Sequence, residues 1–327
     1  MKMKKRLPHS LLLPLLLTAA CEDAGPLPVL DQEAPVAHLR IRVRNTDREP
    51  GAFQLLSFDP RGPQTLDTYY YSDSVDNAGD IAIGTGERIV AAVINGPDLS
   101  AVADLSTLLQ WRYVPGETDE PDASPLLFGC KEEILSEGTR ELSLDVHHQT
   151  GRIVVLQIRN RLDGAQTIDG IYLFLANAAE DNLLGTDWLE SAVRLHPDGH
   201  TGTDESAFSS RPWVDGQEGR TATHPEWTAL QLGPLPFGSI HTGPYPFYSC
   251  PTPPDWQPWL VLAARISGRV WYYNVPLSSI RKDLSQEVSI TLRTLGADQP
   301  CVENLPGSYE LVRAVSDWTV LPSTETI

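Results

Sequence analysis

VAHLRIRV, residues Val36–Val43, alternates apolar and polar side chains without a break. Leu39, Ile41 and Val43 fall on one side and Arg40, Arg42 and Arg44 on the other, the period of two that a half-buried β-strand requires. Working outward from this stretch, Ala52–Phe58 (AFQLLSF), Thr68–Ser72 (TYYYS) and Asp80–Ile83 are further strand candidates, and Arg88–Ile94 (RIVAAVI) is apolar throughout, as a central strand is. Asn95–Gly96–Pro97 closes that run. Leu99, Val102, Leu105, Leu108 and Leu109 then recur at helical spacing, with Asp98 or Ser100 to cap a short helix. An acidic loop, Pro115–Ser124, precedes three short strands at Leu126–Phe128, Glu133–Leu135 and Arg140–Val146.

Gly151 marks a boundary. After it RIVVLQIR (Arg152–Arg159) opens a second series of strands: Ile168–Ala176, Trp227–Leu232, Trp259–Ile266, Val270–Val275, Val288–Leu295 and Tyr309–Val315. Neither series alternates strand with helix, which excludes a parallel nucleotide-binding sheet. The pattern predicts an all-β chain of two tandem antiparallel β-sandwiches, 36–150 and 151–327, with one short helix in the first. A segment rich in Gly, Asp and Ser, 177–225, is expected as a long loop of the second. The 27 prolines, spread through 327 residues, fit strands and loops better than helices. With 25 Lys and Arg against 43 Asp and Glu, the net charge is −18, which argues against a nucleic-acid partner.

The first 20 residues stand apart from the fold. MKMKKR is a basic start, Leu11–Leu17 an apolar run, and Thr18-Ala-Ala-Cys21 a small-residue site: a secretory signal. The run is too short to span a bilayer. A Cys directly after the small residues resembles a bacterial lipobox, which makes Cys21 the expected site of acylation and the outer membrane the expected anchor; plain secretion is the alternative. Residues 21–35 then form a lipidated, Pro-rich leader. Cys130, Cys250 and Cys301 remain, and three thiols cannot all pair within one chain. Either Cys250 and Cys301 form a disulfide, both lying in Pro-flanked loops, or all three stay as thiols.

Catalytic signatures are missing from the sequence: it holds no HExxH, GxSxG, Walker or Rossmann pattern. His196-Pro-Asp-Gly-His200 spaces two imidazoles by four, but Pro197 and Gly199 make it a turn. His147 and His148 would point to opposite faces of an extended chain, so no shared metal is expected. These readings predict no enzyme, no metal and no cofactor. Trp256 and Trp259, flanked by prolines, are the candidates for a carbohydrate platform on a glycan-binding surface lipoprotein, the alternative function.

Four stretches, taken in order, resemble the fimbrillins, the lipoprotein pilus subunits of the Bacteroidales. They are Val36–Asn45; Arg88–Leu109, an apolar strand, Asn turn and short helix; Arg152–Arg159; and the C-terminal run of Trp271–Pro276 (WYYNVP), Ile280-Arg281-Lys282 and Ala314–Val320 (AVSDWTV). The resemblance implies two transthyretin-like sandwiches, a cell-surface fimbrium as location, and other fimbrial subunits as partners. It also implies assembly by donor-strand exchange, in which a trypsin-like protease removes the N-terminal strand and a neighbour's strand fills the groove. This chain departs from the pattern in having no Arg or Lys between Cys21 and Arg40. A trypsin-like cut therefore cannot fall ahead of the first strand: either another protease processes the chain, as for a stalk subunit, or it stays uncut and tethered by its lipid, as the family's anchors do. The expected subunit-contact strand is Val312–Leu321, with Val312, Ala314, Trp318 and Val320 on one face and Leu311, Val315 and Leu321 on the other.

Overall fold

A computed structural model describes residues 35–44, 51–74, 79–113, 126–179, 182–184 and 229–318. Cys21, the leader, Val320, Leu321 and almost all of the 177–225 segment lie outside the described residues.

The first series of strands is β1 (Val36–Arg44), β2 (Phe53–Phe58), β3 (Leu66–Ser72), β4 (Ile81–Gly84), β5 (Gly86–Ile94), β6 (Arg112–Tyr113), β7 (Leu127–Leu135), β8 (Glu141–Asp145) and β9 (His147–His148). They form a three-stranded sheet in the order β4-β1-β8 and a five-stranded sheet in the order β3-β2-β5-β7-β9. The alternation of β1 is realised as read: Ala37, Leu39 and Ile41 are buried and Val43 half-buried, while His38, Arg40 and Arg42 are exposed. Its buried side chains join Phe53, Leu55, Ile83, Val90, Ile94 and Leu144 in one core cluster. The helix α1 (Leu105–Leu109) is shorter and later than its spacing suggests. Gln54 accounts for part of this, because its side chain accepts from Leu99 N–H (2.8 Å) and donates to Pro97 C=O (2.6 Å), fixing 97–99 in a non-helical course. Asp104 is the cap in place of Asp98 or Ser100, accepting from Thr107 N–H at 2.7 Å. Leu99, Val102, Leu105 and Leu108 are still buried together, against the outer face of the five-stranded sheet.

The second series is β10 (Gly151–Asn160), β11 (Gly170–Ala176), β12 (Asn182–Leu183), β13 (Ala229–Leu232), β14 (Ile240–Ser249), β15 (Trp259–Ile266), β16 (Arg269–Pro276), β17 (Leu284–Leu292) and β18 (Tyr309–Asp317). Its sheets run β14-β10-β17-β18 and β13-β11-β15-β16 and enclose the largest core cluster, around Ile153, Leu173, Leu262, Tyr273 and Ile290. One strand pairing joins the two series: β12 lies antiparallel to β6.

Two pairings correct the purely antiparallel expectation. β1 runs parallel to β8, and β10 runs parallel to β17. In each sandwich the first strand thus has an antiparallel neighbour on one side (β4 or β14) and a parallel one on the other. The opposite sheets correspond as well, with β2 between β3 and β5, and β11 between β13 and β15. The topology is repeated, and among the described residues β18 is a strand of the second copy with no equivalent in the first. It extends the sheet beyond β17, in the position that in the first sandwich lies beyond β8.

Candidate subunit-contact strands

Two strands concentrate the features that an assembling β-protein uses. β1 is one. Its first half pairs with β4 (Val36↔Gly84 to Leu39↔Ile81) and its second half with β8 (Arg40↔Glu141 to Arg44↔Asp145). Among the described residues it is therefore the one strand that links β4 and β8, and its inward side chains cover one side of the core. Without it, two strand edges and an apolar floor formed by Phe53, Leu55, Ile83 and Leu144 would face solvent.

β18 is the other. It pairs with β17 in unbroken register from Leu292↔Tyr309 to Leu284↔Asp317. Tyr309 and Leu311 pack inward, whereas Val312 is 71% exposed and Ala314 is also exposed. The strand is fastened at its start by a bidentate pair, Arg293 Nε to Glu310 Oε1 at 3.0 Å and Nη2 to Oε2 at 2.8 Å. The Tyr309 hydroxyl adds a bond to Asn274 C=O at 3.1 Å. Arg313 donates to Pro276 C=O midway. At the far edge of the same sheet, β14 carries Pro244 and Pro246, residues that supply no N–H and blunt an edge against pairing. β18 carries none.

The expected contact face is divided by the structure. Val312 and Ala314 are available, but Trp318 is 5% exposed and belongs to the interior. Just past Asp317 the chain turns inward, and the indole stacks on His148 with centroids 3.9 Å apart and planes 16° from parallel. Tyr248 lies at 5.6 Å, and the Arg152 guanidinium, itself buried, sits 5.3 Å from the ring centre. Trp318 N–H donates to Asp283 C=O at 2.5 Å. The Asp283 carboxylate meets His147 Nδ1 at 2.5 Å and His148 Nδ1 at 2.9 Å, and accepts from His148 N–H at 2.7 Å. Burial opposes the charge on Asp283, but the hydrogen bonds from His148 and then His147 outweigh it and hold its carboxyl below the usual aspartate range. The two imidazoles, expected on opposite faces, both reach the one Asp283 carboxylate. Sequence spacing gives no sign of this junction, since its members come from β9, β10, β14, the turn before β17 and the end of β18.

Cys250 and Cys301 are not joined. Cys250 packs with Ala179 and Trp256, and Cys301 lies on a different cluster with Phe174 and Val261, so no disulfide links the two loops. Burial raises the Cys250 thiol pKa. Trp256 is itself buried in the Cys250 cluster and Trp259 is half-buried, so the pair forms no open platform for a sugar. Among the described residues, no group of three or more His, Cys, Asp or Glu is arranged to hold a metal.

No family model matches the chain, and no curated protein matches it. Solved structures do. A candidate cell adhesion protein from Bacteroides eggerthii superposes with a TM-score of 0.61 at 14% identity, over 87% of this chain and 97% of that one. A fimbrilin from Porphyromonas gingivalis superposes with a TM-score of 0.61 at 9% identity, over 89% of this chain and 99% of that one. A second candidate cell adhesion protein, from Parabacteroides distasonis, gives 0.53 at 11% identity, over 84% and 95%. At these identities the likeness is one of fold, and it extends through nearly the whole of each chain. The resemblance to the fimbrillins is borne out at that level.

Proposed function

We propose that the chain is a structural subunit of a cell-surface fimbrium, with a mechanical rather than a catalytic role, and that it assembles with other fimbrial subunits by strand exchange. Residues 36–150 and 151–327 are read as its two domains. The observation that carries the reading is the position of β1, the first strand of the described residues, which among them alone bridges β4 and β8 over an apolar floor. Removing it leaves a groove shaped for an extended strand, and keeping it in place until assembly protects an aggregation-prone surface. The shared fold with a fimbrilin supports the same reading.

The absence of Arg and Lys between Cys21 and Arg40 bears on how β1 would leave. A cut that frees the whole strand must fall on its C-terminal side, where Arg44 ends β1 and Arg48 follows. A cut after Arg40 would strand its second half on β8. With no cut, the subunit stays tethered to the outer membrane through acylated Cys21 and serves as an anchor. The test is the N-terminus of the protein recovered from cells. An acylated Cys21 is expected for an anchor or precursor, and a start just after Arg44 or Arg48 for a processed stalk. A start ahead of Val36 without lipid would refute both routes.

A further inference from the structure

We propose that Trp318 is a lock that holds β18 in its own sheet and has to open before that strand can serve a neighbour. The purpose assigned to the lock rests on the strand-exchange reading above; its existence rests on the packing. The last four residues of β18, Ala314, Val315, Ser316 and Asp317, are all exposed, and Val315 is 52% so. Over that length the strand gains no burial, and backbone pairing to Leu284–Glu287 is what keeps it in place. An edge strand held by backbone pairing alone frays readily. Here the fraying end terminates in an indole buried between His148, Tyr248 and Arg152, with its backbone N–H on Asp283 C=O. One side chain thus fastens an otherwise exposed segment, and it does so through a residue of the first sandwich, His148.

In sequence, Trp318 continues the row of even-numbered positions that holds Val312 and Ala314, although β18 itself ends at Asp317. An extended donor inserts one such row into its acceptor. Trp318 can stack on His148 or lie in a neighbour's groove, but not both. The locked and donating states exclude each other, so the lock acts as a brake on assembly.

Amide hydrogen exchange on the full-length chain tests this. Trp318→Ala is expected to speed exchange of Ala314–Asp317, and of their partners in Leu284–Glu287, by about tenfold or more, leaving β5 and β10 unchanged. His148→Ala, which removes the stacking partner from the other side, should act in the same direction. Trp318→Phe, which keeps a stacked ring, should stay within about twofold of the parent. Unchanged exchange at 314–317 in Trp318→Ala overturns the lock. So does uniform acceleration over every strand, because Trp318 would then be a general core residue. Filament growth is the second readout. Faster growth of Trp318→Ala supports the brake, whereas faster local exchange with unchanged growth leaves the lock standing and overturns the donor-strand reading.

Discussion

Ile41 and Arg42 are neighbours in β1 with opposite environments, the first buried in the core cluster and the second exposed beside Glu141 at 3.4 Å. Ile41→Asp should lower the stability of the first sandwich by roughly 3–5 kcal/mol, since a lost aliphatic group and an unpaired buried charge act together. Arg42→Ala should change it by about 0.5 kcal/mol or less, because an exposed ion pair contributes little. Denaturant titration of the two variants checks the contrast, and similar losses would mean that the register of β1 is wrong. Asp283 makes a prediction in pH. Its carboxyl titrates lower in the folded chain than in the unfolded one, so its contribution is present above the ordinary aspartate value, near 3.9, and is lost as the pH falls through the folded value. Acidification should loosen the junction at His147 and His148 in the parent, seen as faster exchange of the His148 amide. Asp283→Ala should show that looseness already at neutral pH, with little further acid dependence.

At the scale of elements, β1 should act as a removable part. A chain starting at residue 45 is expected to aggregate or to expose its core to a hydrophobic dye. A peptide of residues 36–44 supplied in trans should restore a soluble, folded form. A soluble, folded chain without the peptide would show that removing β1 opens no groove. β1 was legible because one of its faces meets the core and the other meets water, which stamps a period of two on the sequence. β14 was not: Gly243, Pro244 and Pro246 interrupt IHTGPYPFYS, and only its partner β10 supplies the register that makes it a strand. The two strand candidates at Leu126–Phe128 and Glu133–Leu135 are one strand, β7, whose exposed middle (Cys130, Lys131, Glu132) hid its continuity. Trp318 misled in another way. Alternation continues the strand to it, but β18 ends one residue earlier at Asp317, and the ring rests on Tyr248, Arg152 and His148, all about 70 or more positions away.

For the whole molecule, a net charge of −18 sets the conditions of association. On the proposed reading, subunits that meet along their strands would have to overcome mutual repulsion, which salt screens over a Debye length of about 8 Å at physiological ionic strength. Filament growth from purified subunits should therefore accelerate between low and physiological salt, and light scattering would follow it; slower growth in salt would point to attraction between charged patches as the driving contact. With β18 added beyond β17, the two edges of the β14-β10-β17-β18 sheet differ. Prolines close the β14 side of the second sandwich, while the β18 side has none. On the proposed strand-addition reading, a thread would extend along the β18 flank and not along the β14 flank, and so would have a direction.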